Sequence, residues 1–183
     1  FLGVGKKNDV IQKNSVKYPH SIGLFYGTFT DFLGFKPDSD EWKVMALSSY
    51  AKKQNAYDKK IKNLFKLTKE GFELDLSFFD FYTFDKRKNF FNEKFEKLIG
   101  TPRLKNEKIL RKHSLIAGAM QRAFEKIVFH LLKILKSKGS NSNNLVLAGG
   151  AAMNCVFNGL LDKKKLYKNN YIPAYPDDLG VSI

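Results

Sequence analysis

The chain has 183 residues, 43% of them hydrophobic and 14% aromatic, which is enough to bury a core and too apolar for a disordered chain. Its formal net charge is +14, yet only four of the 32 basic residues are arginine (Arg87, Arg103, Arg111 and Arg122), and scattered lysine without arginine forks makes nucleic acid an unexpected partner. No apolar run is long enough to cross a bilayer, and the single Cys155 excludes an internal disulfide or a cysteine-cluster metal site, so a soluble, cytoplasmic protein is expected.

The chain begins at Phe1 rather than Met, and FLGVGKKNDV lacks the apolar stretch of a signal peptide. With the chain stopping at Ile183, both ends are expected to be cut from something longer. The first helix follows Pro19-His20: Ser21 caps it, Ile22, Phe25, Tyr26, Phe29 and Leu33 recur at helical spacing, and Gly34 ends it. Asp38-Ser39-Asp40 offers a second cap, leading into EWKVMALSSYA. A third helix is expected over Tyr57–Leu67. From Gly71, the sequence GFELDL alternates apolar and polar residues as a short strand does.

Residues 77–92 carry seven aromatics: Phe78, Phe79, Phe81, Tyr82, Phe84, Phe90 and Phe91. With no arginine framework beside them, packing is the better reading than stacking on bases. A long helix is expected from about Asn106 to Ser137, with Ile116, Met120, Ala123, Ile127, Leu131 and Leu135 on one buried face. Gly139 stops it and SNSNN forms a loop. The apolar run Leu145-Val146-Leu147-Ala148 then reads as a strand in the middle of a sheet. Gly149-Gly150 turns the chain, a helix runs from Ala151 to about Leu161, and Tyr171–Ala174 forms another strand. This helix–strand–turn–helix–strand order is that of an α/β fold.

Three places have chemical potential. A strand ending in Gly149-Gly150 and opening a helix suits a phosphate or nucleotide, because glycine admits close backbone approach and a helix start offers N–H donors; tight packing explains the same pattern. Asn154 and Asn158, one turn apart, share a face there and could bond a ribose or base. Asp177-Asp178 follows the last strand, where α/β folds place ligands and where carboxylates can hold a divalent metal, although an ordinary solvated turn reads the same way. Cys155 is expected as a packed, inert thiol. His20, His113 and His130 have no metal-ligand spacing; His130 reads as structural and His113 as a surface residue.

PHSIGLFYGTFTDFLGF (19–35), DEWKVMALSSYA (40–51), GTPR (100–103), HSLIAGAMQRAFE (113–125), LVLAGGAAMNCVFNG (145–159) and PDDLGVSI (176–183) occur together in order. This set resembles the O-carbamoyltransferases of nodulation and antibiotic biosynthesis. The resemblance implies part of a ribonuclease H-like (actin/Hsp70-type) ATPase domain over 1–183, with a helical part at 15–51, a variable insert at 52–105 and an α/β part at 106–183. It implies ATP and carbamoyl phosphate as co-substrates, a carbamoyl-adenylate, and transfer of the carbamoyl group to a hydroxyl of a small molecule or sugar. Gly149, Gly150, Asn154 and Asn158 would then line the nucleotide pocket.

The family's D-x-G-x-[AS] motif falls on Asp178-Leu179-Gly180-Val181-Ser182. That makes Asp178 the candidate ligand of a divalent metal, iron, with magnesium accompanying the nucleotide. The histidine pair that completes the family's metal site lies outside this sequence. Glu41 and Lys43 fall in a matched piece and would touch substrate, although exposed Glu and Lys are commonly only solvated. Where the family has VMGLAPYG, this chain has Val44-Met45-Ala46-Leu47-Ser48-Ser49-Tyr50-Ala51, which changes that loop. An N-terminal lobe and a carbamoyl-phosphate-handling domain are expected elsewhere in the protein, so this piece alone should not complete the reaction. The competing readings are a tRNA threonylcarbamoyl-transfer protein of the same fold and a noncatalytic RNA- or partner-binding module.

Overall fold

The computed structural model describes residues 1–86, 88–138 and 142–177, with the side chains at 85 and 86 excepted. The chain forms two compact units, Phe1–Lys138 and Gly139–Ile183. The fold is mixed α/β, as expected, and the described strands pair into three two-stranded sheets.

The first unit opens with an antiparallel hairpin, β1 (Leu2–Lys6) and β2 (Asp9–Asn14). Helix α1 (Ile22–Phe32) starts where the sequence says it should: the Ser21 hydroxyl accepts from the Leu24 amide at 3.2 Å. Helix α2 (Glu41–Ser48) follows Asp40, but that carboxylate does not cap it. It accepts instead from the Lys36 amide at 3.1 Å and pairs with Lys43 at 2.9 Å.

Helix α3 is shorter than expected. It covers Ala56–Ile61, a 3-10 turn spans Lys62–Leu64, and Phe65–Thr68 is a strand, β3. β3 pairs antiparallel with β4 (Gly71–Leu74), which was expected as a strand. The pattern over Tyr57–Leu67 misleads because pairing with β4 decides the state of its last residues, and a cross-strand partner leaves no mark on local helical spacing. Reciprocal bonds between Asn55 and Asp58 fix the start of α3.

The aromatic segment is core. Phe78, Phe79, Phe81, Phe90 and Phe91 are buried, and only Phe84 of its phenylalanines is exposed. Phe95, from α4 (Glu93–Ile99), sits at the centre of the cluster. Its ring lies 5.3 Å from those of Phe29 and Phe32, 5.7 Å from Phe91 and 6.0 Å from Phe79, mostly in the edge-on or tilted arrangements that aromatic quadrupoles favour. The Phe90 amide also donates to Asp31 Oδ2 at 2.8 Å, tying the segment to α1. Residues 52–105 thus share one core with α1.

Helix α5 (Arg111–Ser137) begins five residues later than expected. Ile116, Met120, Ile127 and Leu135 of its apolar face are buried, while Ala123 and Leu131 are half-buried. Gly118 lies so close to the chain at Ala51 that a Cβ there would overlap the Ala51 carbonyl oxygen. The absence of a side chain is what lets α5 reach the 49–51 turn.

The second unit holds β5 (Asn144–Val146), α6 (Cys155–Lys164) and β6 (Asn169–Tyr171). β5 and β6 are parallel, with Leu145 opposite Asn170. The expectation of a strand buried mid-sheet is not met: Leu145 is buried, but Val146 is 65% exposed and β5 has one partner among the described residues. The helix expected from Ala151 starts at Cys155, after a 3-10 turn over Gly150–Met153. The last strand begins two residues and ends three residues earlier than expected. The stop assigned to Gly139 lies outside the described residues.

Candidate functional site

The second unit brings the glycine turn and the segment after β6 together. The Leu147 amide donates to the Tyr171 carbonyl at 3.0 Å, and the Gly149 amide donates to the Pro176 carbonyl. The two parallel strands therefore run side by side past their carboxyl ends, the usual ligand position in α/β sheets. Asp177 comes next. Asp178 lies outside the described residues.

Gly149 has φ 92° and ψ 161°, a region that essentially only glycine occupies. Among the described residues beyond its chain neighbours, no atom lies within 4 Å of where its Cβ would be, so what the described residues require of this glycine is its backbone conformation.

The two asparagines do not share a helix face. Asn154 is buried and caps α6, its Oδ1 accepting from the Phe157 amide at 2.9 Å, so that oxygen satisfies a helix-end donor. Asn158 lies inside the helix and donates through Nδ2 to the Ala152 carbonyl at 2.8 Å. Its Oδ1 is enclosed and has no hydrogen-bond partner among the described residues. An enclosed acceptor left unmatched is costly, and Asn170 Oδ1 in the same unit is likewise unmatched among the described residues.

Cys155 is exposed, contrary to the packed thiol expected, because α6 starts there and not at Ala151. The structure also corrects the reading of His113, which is buried at 3% exposure. Its Nδ1 accepts from the Leu110 amide at 3.0 Å, closing the start of α5. Burial holds its pKa below 6.5, with the Lys112 and Arg103 charges acting the same way. His130 is structural as expected, its Nε2 lying 2.8 Å from the Thr68 carbonyl. No group of three His, Cys, Asp or Glu residues able to hold a metal occurs among the described residues. Those residues alone do not form the expected metal site.

Glu41 and Lys43 belong to the first unit. Glu41 Oε1 accepts from the Asp38 amide at 2.9 Å. Lys43 pairs with Asp40 and lies over the Trp42 ring at 5.4 Å from its centroid. Both side chains are engaged in shaping the start of α2.

Two arginines have roles that the sequence reading missed. Arg103 is buried and donates to the carbonyls of Leu33 (2.6 Å), Gly34 (3.1 Å) and Glu107 (2.6 Å). Arg122 grips Asp58 with two bonds of 2.7 Å. The available signal was scarcity: in a chain that otherwise uses lysine, an arginine marks a place needing a planar fork.

The whole chain, residues 1–183, matches the family model described as carbamoyltransferase N-terminus. An uncharacterized protein of Synechocystis sp. is 35% identical over all of this chain and 29% of its own length. The nodulation protein NolO of Bradyrhizobium diazoefficiens is 27% identical over all of this chain and 31% of its own length. An uncharacterized protein of Methanocaldococcus jannaschii is 30% identical over 89% of this chain and 29% of its own length. The chain thus spans under a third of the length of these relatives. With the match running from Phe1 to Ile183, the chain belongs to the carbamoyltransferase N-terminal family.

Proposed function

We propose that this chain forms the nucleotide-side part of an ATP-dependent O-carbamoyltransferase with a ribonuclease H-like ATPase domain. The observation that carries the reading is the Gly149–Asn158 turn. A glycine-only backbone conformation leads into α6, and among the described residues no side chain fills the space beside it and the enclosed Asn158 Oδ1 lacks a donor. An adenosine ribose hydroxyl or adenine amino group would supply such a donor once the Asn158 amide turns outward, and the α6 start favours phosphate. The family match supports carbamoyl transfer as the class of reaction.

In this reading water cleaves carbamoyl phosphate to carbamate and inorganic phosphate, the carbamate oxygen displaces pyrophosphate from ATP to give a carbamoyl-adenylate, and the acceptor hydroxyl takes the carbamoyl group with release of AMP and a proton. Gly149 and Gly150 let the phosphates approach the backbone, and Asn158 orients the nucleoside. Asn154 acts through the α6 start that it caps. Asp178 is proposed as one ligand of a divalent metal, iron, with further ligands from the rest of the protein; such a metal would polarise the carbamoyl carbonyl. Glu41 and Lys43 are assigned to shaping α2.

The test uses the full-length protein, labelled carbamoyl phosphate, ATP and a panel of sugar acceptors. Label should appear on an acceptor only when ATP is present. Asp178→Ala should abolish transfer while leaving the thermal melt in place. ATP-independent transfer, or full transfer by Asp178→Ala, contradicts the reading.

A further inference from the structure

Helix α2 and the 3-10 turn that continues it over Ser49–Ala51 are apolar on two opposite sides. Val44, Leu47, Ser48 and Ala51 recur at helical spacing and are buried, with Gly118 of α5 lying against Ala51. Trp42, Ala46 and Tyr50, each four residues from the next, line the other side. Trp42 is 60% and Tyr50 82% exposed, and Ala46 is exposed between them. The backbone stays helical through Ser48, Ser49 and Lys52, so the three form one stripe.

A surface helix ordinarily turns polar and charged residues to solvent, and one that is apolar all round is covered. Tryptophan and tyrosine are also among the side chains that dominate contacts between proteins, each bringing about 200 Å² of surface. The charges around the stripe are lopsided. Lys52 and Lys53 follow Tyr50 and are exposed, and neither is in an ion pair among the described residues. No acidic residue occurs from Trp42 through Tyr57. At the other end Asp40 is paired with Lys43, and the Glu41 carboxylate accepts from the Asp38 amide. The charge left open beside Tyr50 is therefore positive.

We propose that the outer stripe of α2 docks a surface of the same polypeptide outside residues 1–183, apolar at its centre and bearing carboxylates where it meets Lys52 and Lys53. The lengths of the relatives supply such an occupant: the matched region is 29% of the Synechocystis protein, 31% of NolO and 29% of the Methanocaldococcus protein, so over two-thirds of each lies outside it. Trp42 and Tyr50 would anchor the contact at its apolar centre, and the two lysines would fix its register through opposite charge. The proposal rests on the stripe and on those lengths, and stands independently of carbamoyl transfer.

The experiment is hydroxyl-radical footprinting read by mass spectrometry on the purified full-length protein, without ATP or carbamoyl phosphate, with light scattering on the same sample. Trp42 and Tyr50 should be protected from oxidation in the native monomer and should lose that protection in urea. The double variant Lys52→Glu/Lys53→Glu sets like charges against each other, so oxidation of both aromatics should rise about fivefold or more, with the circular dichroism spectrum unchanged. Native oxidation at the urea rate, protection indifferent to the charge reversal, or protection found only in a dimer or in a complex with another macromolecule overturns the proposal. Because neither ATP nor a carbamoyl donor is present, failure here leaves the transferase reading untouched, and failure of that reading leaves this one untouched.

Discussion

Arg122 and Asp58 form a two-point clamp, Nε to Oδ1 and Nη2 to Oδ2, each at 2.7 Å. The same guanidinium donates to the carbonyls of Ala51 (2.7 Å) and Lys52 (3.2 Å). One side chain of α5 thus holds both α3 and the turn after α2. Burial pushes the Asp58 carboxyl up, but the Arg122 bonds, the Asn55 amide and the Arg122 charge outweigh it, and the pKa falls below 3.8.

Arg122→Lys should therefore destabilise the protein by about 2 kcal/mol, although charge is conserved, because an ammonium cannot make the paired contact. Urea unfolding checks this. An unchanged midpoint would mean that the clamp is not a stability element. Since the Asp58 pKa is depressed in the fold, its contribution is present above 3.8 and is lost as pH falls through the folded value.

Gly118→Ala should cost about 1–3 kcal/mol despite the better helix propensity of alanine, because the new methyl meets the Ala51 carbonyl. A gain in stability would show that α5 can move away from the 49–51 turn freely.

Phe95→Ala should cost about 3–5 kcal/mol, since the ring meets four other phenylalanines. Calorimetry reads this directly. A loss typical of a surface position would remove Phe95 from the core.

His113 gives a pH signature. Its pKa is lowered by burial, so the folded state resists the proton that the unfolded state accepts. Its contribution is complete above 6.5 and declines as pH falls below that value toward the folded pKa. Stability of the wild type should fall more steeply over this window than that of His113→Gln. Parallel curves would show that His113 is not buried as a neutral ring.

The elements that the sequence announced are those whose signals are local. Helix α1 carries its cap at Ser21, its stripe through Phe25 and Phe29 and its stop at Gly34. Helix α5 carries a long apolar face. The elements it missed depend on distant partners: Phe65–Thr68 is a strand because β4 lies beside it, and His113 is buried because of what packs around α5. In the candidate site the glycine turn was legible from strand–Gly-Gly–helix order, but the division of labour between Asn154 and Asn158 was not. It depends on where α6 begins, and a shift from Ala151 to Cys155 turns a face residue into a cap.

Gly149→Ala separates conformation from packing. With no described atom beyond the chain neighbours within 4 Å of the added methyl, the expected penalty is backbone strain, about 1–3 kcal/mol. If the turn cradles phosphate, ATP affinity in the full-length protein should fall as well.

The most direct test is carbamoyl-phosphate-dependent exchange of labelled pyrophosphate into ATP by the full-length protein, because formation of a carbamoyl-adenylate releases pyrophosphate whatever the acceptor. Exchange should require carbamoyl phosphate and should drop at least about fivefold in Asn158→Ala, the loss of one nucleoside hydrogen bond, with the fold intact. A folded, full-length protein that shows no such exchange, or exchange indifferent to carbamoyl phosphate, would contradict the account.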